Sequence, residues 1–155
     1  MDSPVKPPPP LYAPGTGQWS SSLCGCLSDI SSCCCTLWFP CVTFGRNAEI
    51  LDKGTSSCAA SGAVYLVLCM FTGCECVFTS IYRAKLRHEY ALPARPCNDF
   101  LVHLFCECCA LCQEYRELKY RGLDPALGWH GNLRKHAEGV VMPVKPPVVI
   151  EEMKR

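Results

Sequence analysis

A chain of 155 residues with a net charge of +1 and only 19% charged residues offers no concentrated basic surface, so we expect no nucleic-acid partner. Hydrophobic residues make up 49% of the chain, and the charged share of 19% is below the roughly 25% of an ordinary soluble domain. The fifteen cysteines are the outstanding feature, and the length fits one domain with tails.

The two ends of the chain are predicted to be disordered tails. Residues 1–22 are rich in Pro, Gly and Ser, and residues 137–155 resemble a second tail, so the domain is placed at residues 23–136. The N-terminus has no apolar signal segment. The thiols are therefore expected to start in the reducing cytosol, where metal binding is more common than structural disulfides.

The first helix of the domain is predicted to begin at Pro40. Proline is favoured in the first turn of a helix, and Gly54 is suitably placed just beyond its end. The predicted helix has its apolar positions at Val42, Phe44, Ala48 and Leu51, and its polar positions at Arg46, Asn47, Glu49, Asp52 and Lys53.

An apolar segment follows from Cys58 to Tyr82, with Glu75 as its one charged residue. A helix of this length would be about 37 Å long, enough to cross a hydrocarbon core of about 30 Å. Arg83, Lys85 and Arg87 come next, a stop-transfer pattern that predicts a spanning helix with a cytoplasmic flank. Glu75 is the candidate for an ion pathway; alternatively, it snorkels from one end or faces a neighbouring helix.

A shorter apolar stretch, residues 100–112, contains His103 and Glu107 and suits an interfacial, re-entrant or core helix. The helix is expected to continue through QEYRELKYRG to Gly122, with its charged residues forming a solvated helix end. These charged residues are Glu114, Arg116, Glu117, Lys119 and Arg121.

The cysteines are the candidate metal ligands, because thiolates are soft ligands that suit zinc, copper(I) and cadmium. A zinc or cadmium ion at thiolates is therefore the candidate cofactor. Packing as small hydrophobic residues and S-acylation are the alternatives. The two candidate sets are Cys33, Cys34, Cys35 and Cys41, and Cys106, Cys108, Cys109 and Cys112.

The tripeptide Cys-Glu-Cys occurs twice, at residues 74–76 and 106–108, each time after an apolar run and before a Tyr-Arg pair. It is either a degenerate duplication of one helical unit or a coincidence in a cysteine-rich chain. No P-loop, GxGxxG, GxSxG or HExxH motif occurs, so we expect a protein that is not an enzyme.

Several motifs in a fixed order resemble the placenta-specific-eight domain, and most closely its plant branch. They are CC-x4-FPC at residues 33–41, VTFGRNAEILDKG, the apolar segment with TGC, YR-x-K-x-R, and CxxC with QEYRELKYRGLDPALGWHGN. The resemblance covers residues 19–132. Members of the plant branch are called cell number regulators, fruit-weight-like proteins or plant cadmium resistance proteins.

The resemblance implies a small plasma-membrane protein that forms homo-oligomers. Some members are linked to efflux or tolerance of cadmium and zinc, and others to calcium flux or to restraint of cell number. Metal-linked members tend to carry CC-x4-CPC. Phe39 replaces the first cysteine of that CPC here, so only Cys33, Cys34 and Cys41 carry over.

We therefore expect a mainly α, cysteine-rich, membrane-associated helical domain, and two functions stay open. The first is an oligomer that handles or exports heavy-metal ions through Cys33, Cys34 and Cys41, with Glu75 on the pathway. The second is a non-transporting membrane regulator or scaffold that restrains cell number and organ size through protein partners.

Overall fold

The computed structural model describes residues 17–138, and within them all regular structure is helical, which confirms the mainly α fold. The helices are α1 (Ile30–Trp38), α2 (Pro40–Leu51), α3 (Cys58–Phe71), α4 (Glu75–Tyr90), α5 (Asp99–Tyr120) and α6 (Gly128–Ala137), with short 3-10 turns at Gly25–Ser28 and Pro125–Leu127. The predicted tails lie outside the described residues, apart from residues 17–22 and 137–138.

Helix α2 begins at Pro40, as predicted, and crosses α3 at very short range. A Cβ atom added at Gly45 would come within 2.4 Å of the Cys58 carbonyl oxygen, and one at Gly62 within 3.0 Å of the Cys41 carbonyl oxygen. Since real Cβ atoms do not approach backbone oxygens that closely, the two glycines are what allow α2 and α3 to touch along their backbones.

The apolar segment from Cys58 to Tyr82 is broken, so the prediction of one spanning helix is wrong. The amides of Thr72 and Gly73 both bond to the Leu68 carbonyl, which closes α3, and Gly73 turns the chain with a φ of +62°. A left-handed residue of this kind commonly ends a helix. Among residues 17–138 no helix has both the length and the hydropathy that crossing a membrane requires.

Two apolar clusters form the core. One joins α2, α4 and the end of α5, and the other lies where α2, α3 and α5 meet. Phe44 is the fully buried centre of the second. The centroid of its ring lies 5.6 Å, 5.3 Å and 5.1 Å from those of Tyr65, Phe78 and Tyr82.

The prediction of a solvated charged end of α5 is wrong for Glu114, Arg116, Glu117 and Arg121, which are buried, whereas Lys119 is exposed. Glu114 and Glu117 are 1% and 0% exposed, because each has a cationic partner inside the protein. Arg83 Nη1 lies 3.4 Å from Glu114 Oε1, and Arg121 Nη2 lies 2.8 Å from Glu117 Oε1. Buried carboxylates need such pairing, so the charged residues at the end of α5 are hydrophilic in sequence and still lie in the interior.

Two cations of the basic flank after the apolar segment are tied into the fold, Arg83 fully buried and Arg87 partly buried, whereas Lys85 is 48% exposed. Arg83 is fully buried, donates to Gln113 Oε1 at 2.7 Å and lies over the Trp19 ring at 4.3 Å. Arg87 Nε donates to both Asp99 oxygens at 2.8 and 2.9 Å. A stop-transfer flank would keep its cations in water, and these two bind acids and amides of the fold instead.

The segment 19–22, which the sequence places in a tail, packs on α5 instead. The Ser20 amide and hydroxyl donate to Glu117 Oε2 at 2.7 and 2.6 Å, and Gln113 Nε2 donates to the Ser21 carbonyl at 2.8 Å. Trp19 Nε1 donates to the Pro93 carbonyl at 2.9 Å. These bonds fix the start of the described chain beside α5.

Large apolar side chains are exposed on several helices. The exposed fraction is 84% at Phe71 and 80% at Met70 on α3, 77% at Phe105 on α5, and 76% at Trp38 on α1. The packing of residues 17–138 leaves these side chains uncovered.

Candidate functional site

Thiols from the N-terminal part of the domain meet thiols from the second half of α5. The Cys33 thiol neighbours those of Cys26 and Cys112, and Cys26 in turn neighbours Cys109. We call Cys26, Cys33, Cys109 and Cys112 the thiol cluster. All fifteen cysteines of the chain are free thiols, so no disulfide competes for these sulfur atoms.

The thiol cluster is held by short polar contacts around α1. Asp29 caps α1 by accepting from the Ser32 amide at 3.2 Å. Thr36 is fully buried, donates to the Ser32 carbonyl at 2.7 Å and lies 3.0 Å from the Thr43 hydroxyl of α2. Because small residues line this face, α1 packs close to α5, and the Cys112 sulfur lies 4.0 Å from the Ser32 carbonyl oxygen.

Burial raises the pKa of three thiols of the cluster, those of Cys33, Cys109 and Cys112. It raises the pKa of Cys33, and the neighbouring Cys26 adds to that effect. Burial and Cys26 raise the pKa of Cys109 to about 11. Burial also raises the pKa of Cys112. At neutral pH these are thiols and not thiolates, so any metal that binds them must release protons.

The first predicted set of ligands is spread over several surroundings. Cys34 is exposed on α1, whereas Cys35 lies 3.9 Å from the Thr43 hydroxyl. Cys41 is half-buried and packs against the cluster around Phe44. Of the four residues Cys33, Cys34, Cys35 and Cys41, the structure brings Cys33 into the thiol cluster.

The second predicted set is shared between the thiol cluster and a pocket, and Cys109 belongs to both. Cys109 and Cys112 belong to the cluster, and Cys106 and Cys108 are exposed. Cys106 has a φ of −138° and a ψ of 50°, so α5 is kinked at this residue. Glu75, the predicted ion-pathway residue, is the first residue of α4 and lines a pocket together with Glu107.

The cluster does not present a finished metal site. Within residues 17–138 no three His, Cys, Asp or Glu side chains are arranged so that they could hold a metal ion. The arrangement offers a group of soft donors from the 3-10 turn at Gly25–Ser28, α1 and α5. To bind an ion, these thiols would have to lose protons and turn towards one point.

Sequence reasoning missed Cys26 as a member of the cluster. Its signal lay in the segment that precedes it. Gln113, Arg116 and Glu117 are spaced so that they share a face of α5. The three consecutive serines at residues 20–22 supply their hydrogen-bond partners. For example, Arg116 Nη2 donates to the Ser22 carbonyl at 3.0 Å. Docking of that segment carries Cys26 onto α5.

Known proteins similar to this chain fall in one group. The family model described as PLAC8 family matches residues 19–117. Cell number regulator 7 of Zea mays is 51% identical over 149 residues, which cover 93% of this chain and 82% of that protein. Cell number regulator 10 of Zea mays is 56% identical over 117 residues, covering 76% of this chain and 74% of that protein.

A relative from a second plant carries a different kind of name. Protein PLANT CADMIUM RESISTANCE 2 of Arabidopsis thaliana is 47% identical over 128 residues, which cover 81% of this chain and 84% of that protein. No solved structure matches the chain.

Proposed function

The chain belongs to the PLAC8 family, and from that premise we propose that it is a non-catalytic, membrane-associated protein that binds soft metal ions and hands them on. Zinc and cadmium are the candidate ions, and the thiol cluster is the binding site. The protein acts as a homo-oligomer at the plasma membrane, with its exposed apolar helices against lipid or a second copy. The relative named for cadmium resistance supports the choice of ion.

The meeting of four free thiols from two distant parts of the chain is the observation that carries this proposal. Structural sites for soft metals use about four thiolate or imidazole donors. The motif CC-x4-CPC is matched here by three cysteines, Cys33, Cys34 and Cys41, because Phe39 stands in the position of its fourth cysteine; Cys35 lies within the same residues but outside the motif positions. The thiol cluster supplies four sulfur donors without using Cys34 or Cys41 and without needing a cysteine at position 39.

Metal binding at the cluster is coupled to proton release. The raised pKa of Cys109, about 11, means that its proton leaves only when a metal replaces it. A site of this kind holds its ion weakly in acid and releases it readily. Such behaviour suits a protein that passes ions on rather than storing them.

A second function is favoured by the exposed apolar side chains and by the lack of a finished metal site in residues 17–138. It is a membrane scaffold that restrains cell number by binding other proteins, in line with the relatives named cell number regulators. In that case the cysteines serve packing or acylation.

The test measures cadmium binding by the purified, reduced, full-length chain in detergent, through the ultraviolet absorption of cadmium–thiolate bonds. Cys33→Ser and Cys109→Ser remove members of the cluster. Cys34→Ser and Cys41→Ser remove members of the sequence motif alone. Cys97→Ser, an exposed thiol of the loop before α5, is the matched control.

We expect the cluster variants to lose most of the cadmium signal and the control to keep it. Retained signal in Cys33→Ser and Cys109→Ser, with loss in Cys34→Ser and Cys41→Ser, would move the site to the sequence motif. If the wild-type chain binds no cadmium, the scaffold function replaces the proposal. Cadmium tolerance of yeast that express the same variants shows whether binding has a cellular effect.

A further inference from the structure

Helix α5 folds back on itself at Cys106 and so forms a hairpin of two helical halves. The φ and ψ of Cys106 are −138° and 50°, outside the helical range. On a straight helix, Asp99 and Glu114 would lie about 22 Å apart. Arg83 nevertheless contacts both, with its Nε 3.5 Å from Asp99 Oδ1 and its Nη1 3.4 Å from Glu114 Oε1. The two halves of α5 therefore lie side by side and run in opposite directions.

The bend of the α5 hairpin, residues 104–106, lies beside residues 70–74, which form the end of α3 and the turn to α4. We call these two segments the twin tips. Both segments line one pocket of ≈ 450 Å³, so the fold brings the two bends together. Each tip carries an exposed cysteine at its bend, Cys74 in one and Cys106 in the other.

The surface of the twin tips is apolar. The exposed fraction is 80% at Met70, 84% at Phe71 and 77% at Phe105. The charged residues nearest to the tips in sequence are Glu75 and Glu107, and each has one carboxylate oxygen buried. The tips therefore present aromatic, aliphatic and thiol groups to their surroundings.

The charged residues of the two hairpins lie at the opposite end, about 22 Å away along α4. Lys53, which precedes α3, lies 3.5 Å from Glu89 near the end of α4. Arg87, also near the end of α4, donates to Asp99 at the start of α5. Charges at one end and exposed apolar side chains at the other suit hairpins that enter one leaflet, because the charges stay in water while the tips reach hydrocarbon.

The amides of the α3–α4 tip are bonded within the tip itself. Those of Thr72 and Gly73 donate to the Leu68 carbonyl oxygen at 3.0 and 2.9 Å, and that of Cys74 donates to the Thr72 hydroxyl at 3.2 Å. In hydrocarbon a peptide group without a partner is costly, so internal bonds of this kind are required there. The tip therefore fits a lipid environment in its backbone as well as in its side chains.

We propose that Cys74 and Cys106 are S-acylation sites, at which a membrane acyltransferase attaches long-chain fatty acids. Reversible S-acylation uses cysteines at or beside membrane-contacting helices. The thiol loses its proton, and the thiolate attacks the thioester carbonyl of a long-chain acyl-coenzyme A. Coenzyme A leaves and takes up a proton. One thioester breaks and one forms, so the step needs no oxidant or reductant.

Acylation gives the twin tips a firmer attachment than their side chains provide. A single lipid chain binds a membrane reversibly, whereas stable anchoring takes two signals. One acyl group on each tip meets that need, and both chains extend into the hydrocarbon that Phe71 and Phe105 face. The inference rests on the membrane association proposed above. It does not use the thiol cluster, to which neither Cys74 nor Cys106 belongs.

The experiment counts the acylated thiols of the full-length chain expressed in plant cells, since its relatives are plant proteins. Hydroxylamine cleaves the thioesters, and a polyethylene-glycol maleimide then tags each freed thiol and shifts the protein on a gel. Cys74→Ser, Cys106→Ser and their combination remove the proposed sites, and both residues are exposed, so serine removes no packed core contact. Cys97→Ser, which removes an exposed thiol of the loop before α5, is the matched control. Cys33→Ser tests independence from the thiol cluster.

We expect two tags on the wild-type chain, on Cys97→Ser and on Cys33→Ser, one tag on each single tip variant, and none on the combined variant. The combined variant should also be washed from membranes more readily than wild type, while it binds cadmium equally well. Tags that persist in the combined variant, or a wild-type chain without tags, overturn the proposal.

The failure of this inference is distinguishable from a failure of the function proposed above. A wild-type chain that lacks tags but stays in the membrane fraction and binds cadmium contradicts acylation alone. If that untagged chain also crosslinks through Cys74 to a second copy, the twin tips are an interface between copies and not a lipid contact.

Discussion

Replacing Arg83 by alanine tests whether the basic flank after the apolar segment is interior or exposed. If Arg83 were a juxtamembrane cation in water, its removal would change the free energy of unfolding by less than about 0.5 kcal/mol. In the structure its side chain is 1% exposed and faces Asp99, Glu114 and Gln113. Removing one partner of such a buried set costs about 3–5 kcal/mol, because the remaining charges are left without compensation.

The expected cost lies near the lower end of that range, at about 3 kcal/mol. Asp99 keeps Arg87, which donates to both of its oxygens, and Glu114 keeps His103 at 2.9 Å. The loss therefore comes mainly from the Gln113 hydrogen bond, the contact with the Trp19 ring and the ion pair with Glu114.

The assay is urea unfolding of the full-length chain in detergent, followed by tryptophan fluorescence. Lys85→Ala is the control, since Lys85 lies two residues further on, is 48% exposed and pairs with Asp52, and such pairs contribute about 0–1 kcal/mol. Because Arg83→Ala risks failing to fold, Arg83→Met is also combined with Glu114→Gln. That pair should lose less stability than the sum of the two single changes. Equal costs below about 1 kcal/mol for Arg83→Ala and Lys85→Ala would refute the buried network.

Three further outcomes follow from particular contacts. Gly45→Ala should destabilise the protein by about 1–3 kcal/mol in the same urea assay, because the alanine Cβ would meet the Cys58 carbonyl. This cost is expected although alanine favours helices. An unchanged urea midpoint would contradict the close crossing of α2 and α3. The folded-state pKa of Glu107 is raised, so its contribution to the free energy of unfolding is full below pH about 4.5 and is lost as the pH rises through the raised pKa. Glu107→Gln should flatten this fall in the free energy of unfolding. Parallel curves of unfolding free energy against pH for wild type and variant would count against this expectation. Phe71→Asn and Phe105→Asn should weaken binding of the protein to lipid vesicles in a flotation assay, whereas the control Leu127→Asn should not. Equal flotation of all three variants would exclude the apolar helices as the lipid contact.

The elements that the sequence predicts well are those whose signals are local. Pro40 opens a helix because its ring fixes φ and its missing N–H is not needed in the first turn. The apolar stretch from residue 100 continues as helix to Tyr120, shortly before Gly122, whose φ is +90°. Each of these boundaries depends on a few neighbouring residues.

The features that the sequence does not predict depend on distant partners. Arg83 and Gln113 are 30 positions apart, and Ser20 and Glu117 are 97 apart, so nothing near either residue indicates that it is buried. The charged end of α5 resembles a solvated segment in the sequence, but it is buried in the fold because other parts of the chain supply its partners. The break at Gly73 was hidden for another reason, since one glycine does not lower the mean hydropathy of the segment around it.

The cluster of thiols illustrates the same limit at the candidate site. Spacing along the chain grouped Cys33 with Cys34 and Cys41, whereas the fold groups Cys33 with Cys112. Residues next to each other on a helix point in different directions, so adjacency in sequence is a poor guide to a shared ligand site. The packing of α1 on α5 decides which sulfur atoms meet.

The turn at Gly73 makes α3 and α4 a hairpin whose polar ends lie together. Asp52, which precedes α3, bonds to Tyr82 and Lys85 in the second half of α4. If this hairpin dips into one leaflet with its polar ends towards water, the chain enters and leaves on the same face of the bilayer. An epitope placed before residue 17 and another placed after residue 138 should then be labelled from one side of the cell membrane, and the thiols of α1 should react with impermeant reagents from that side alone.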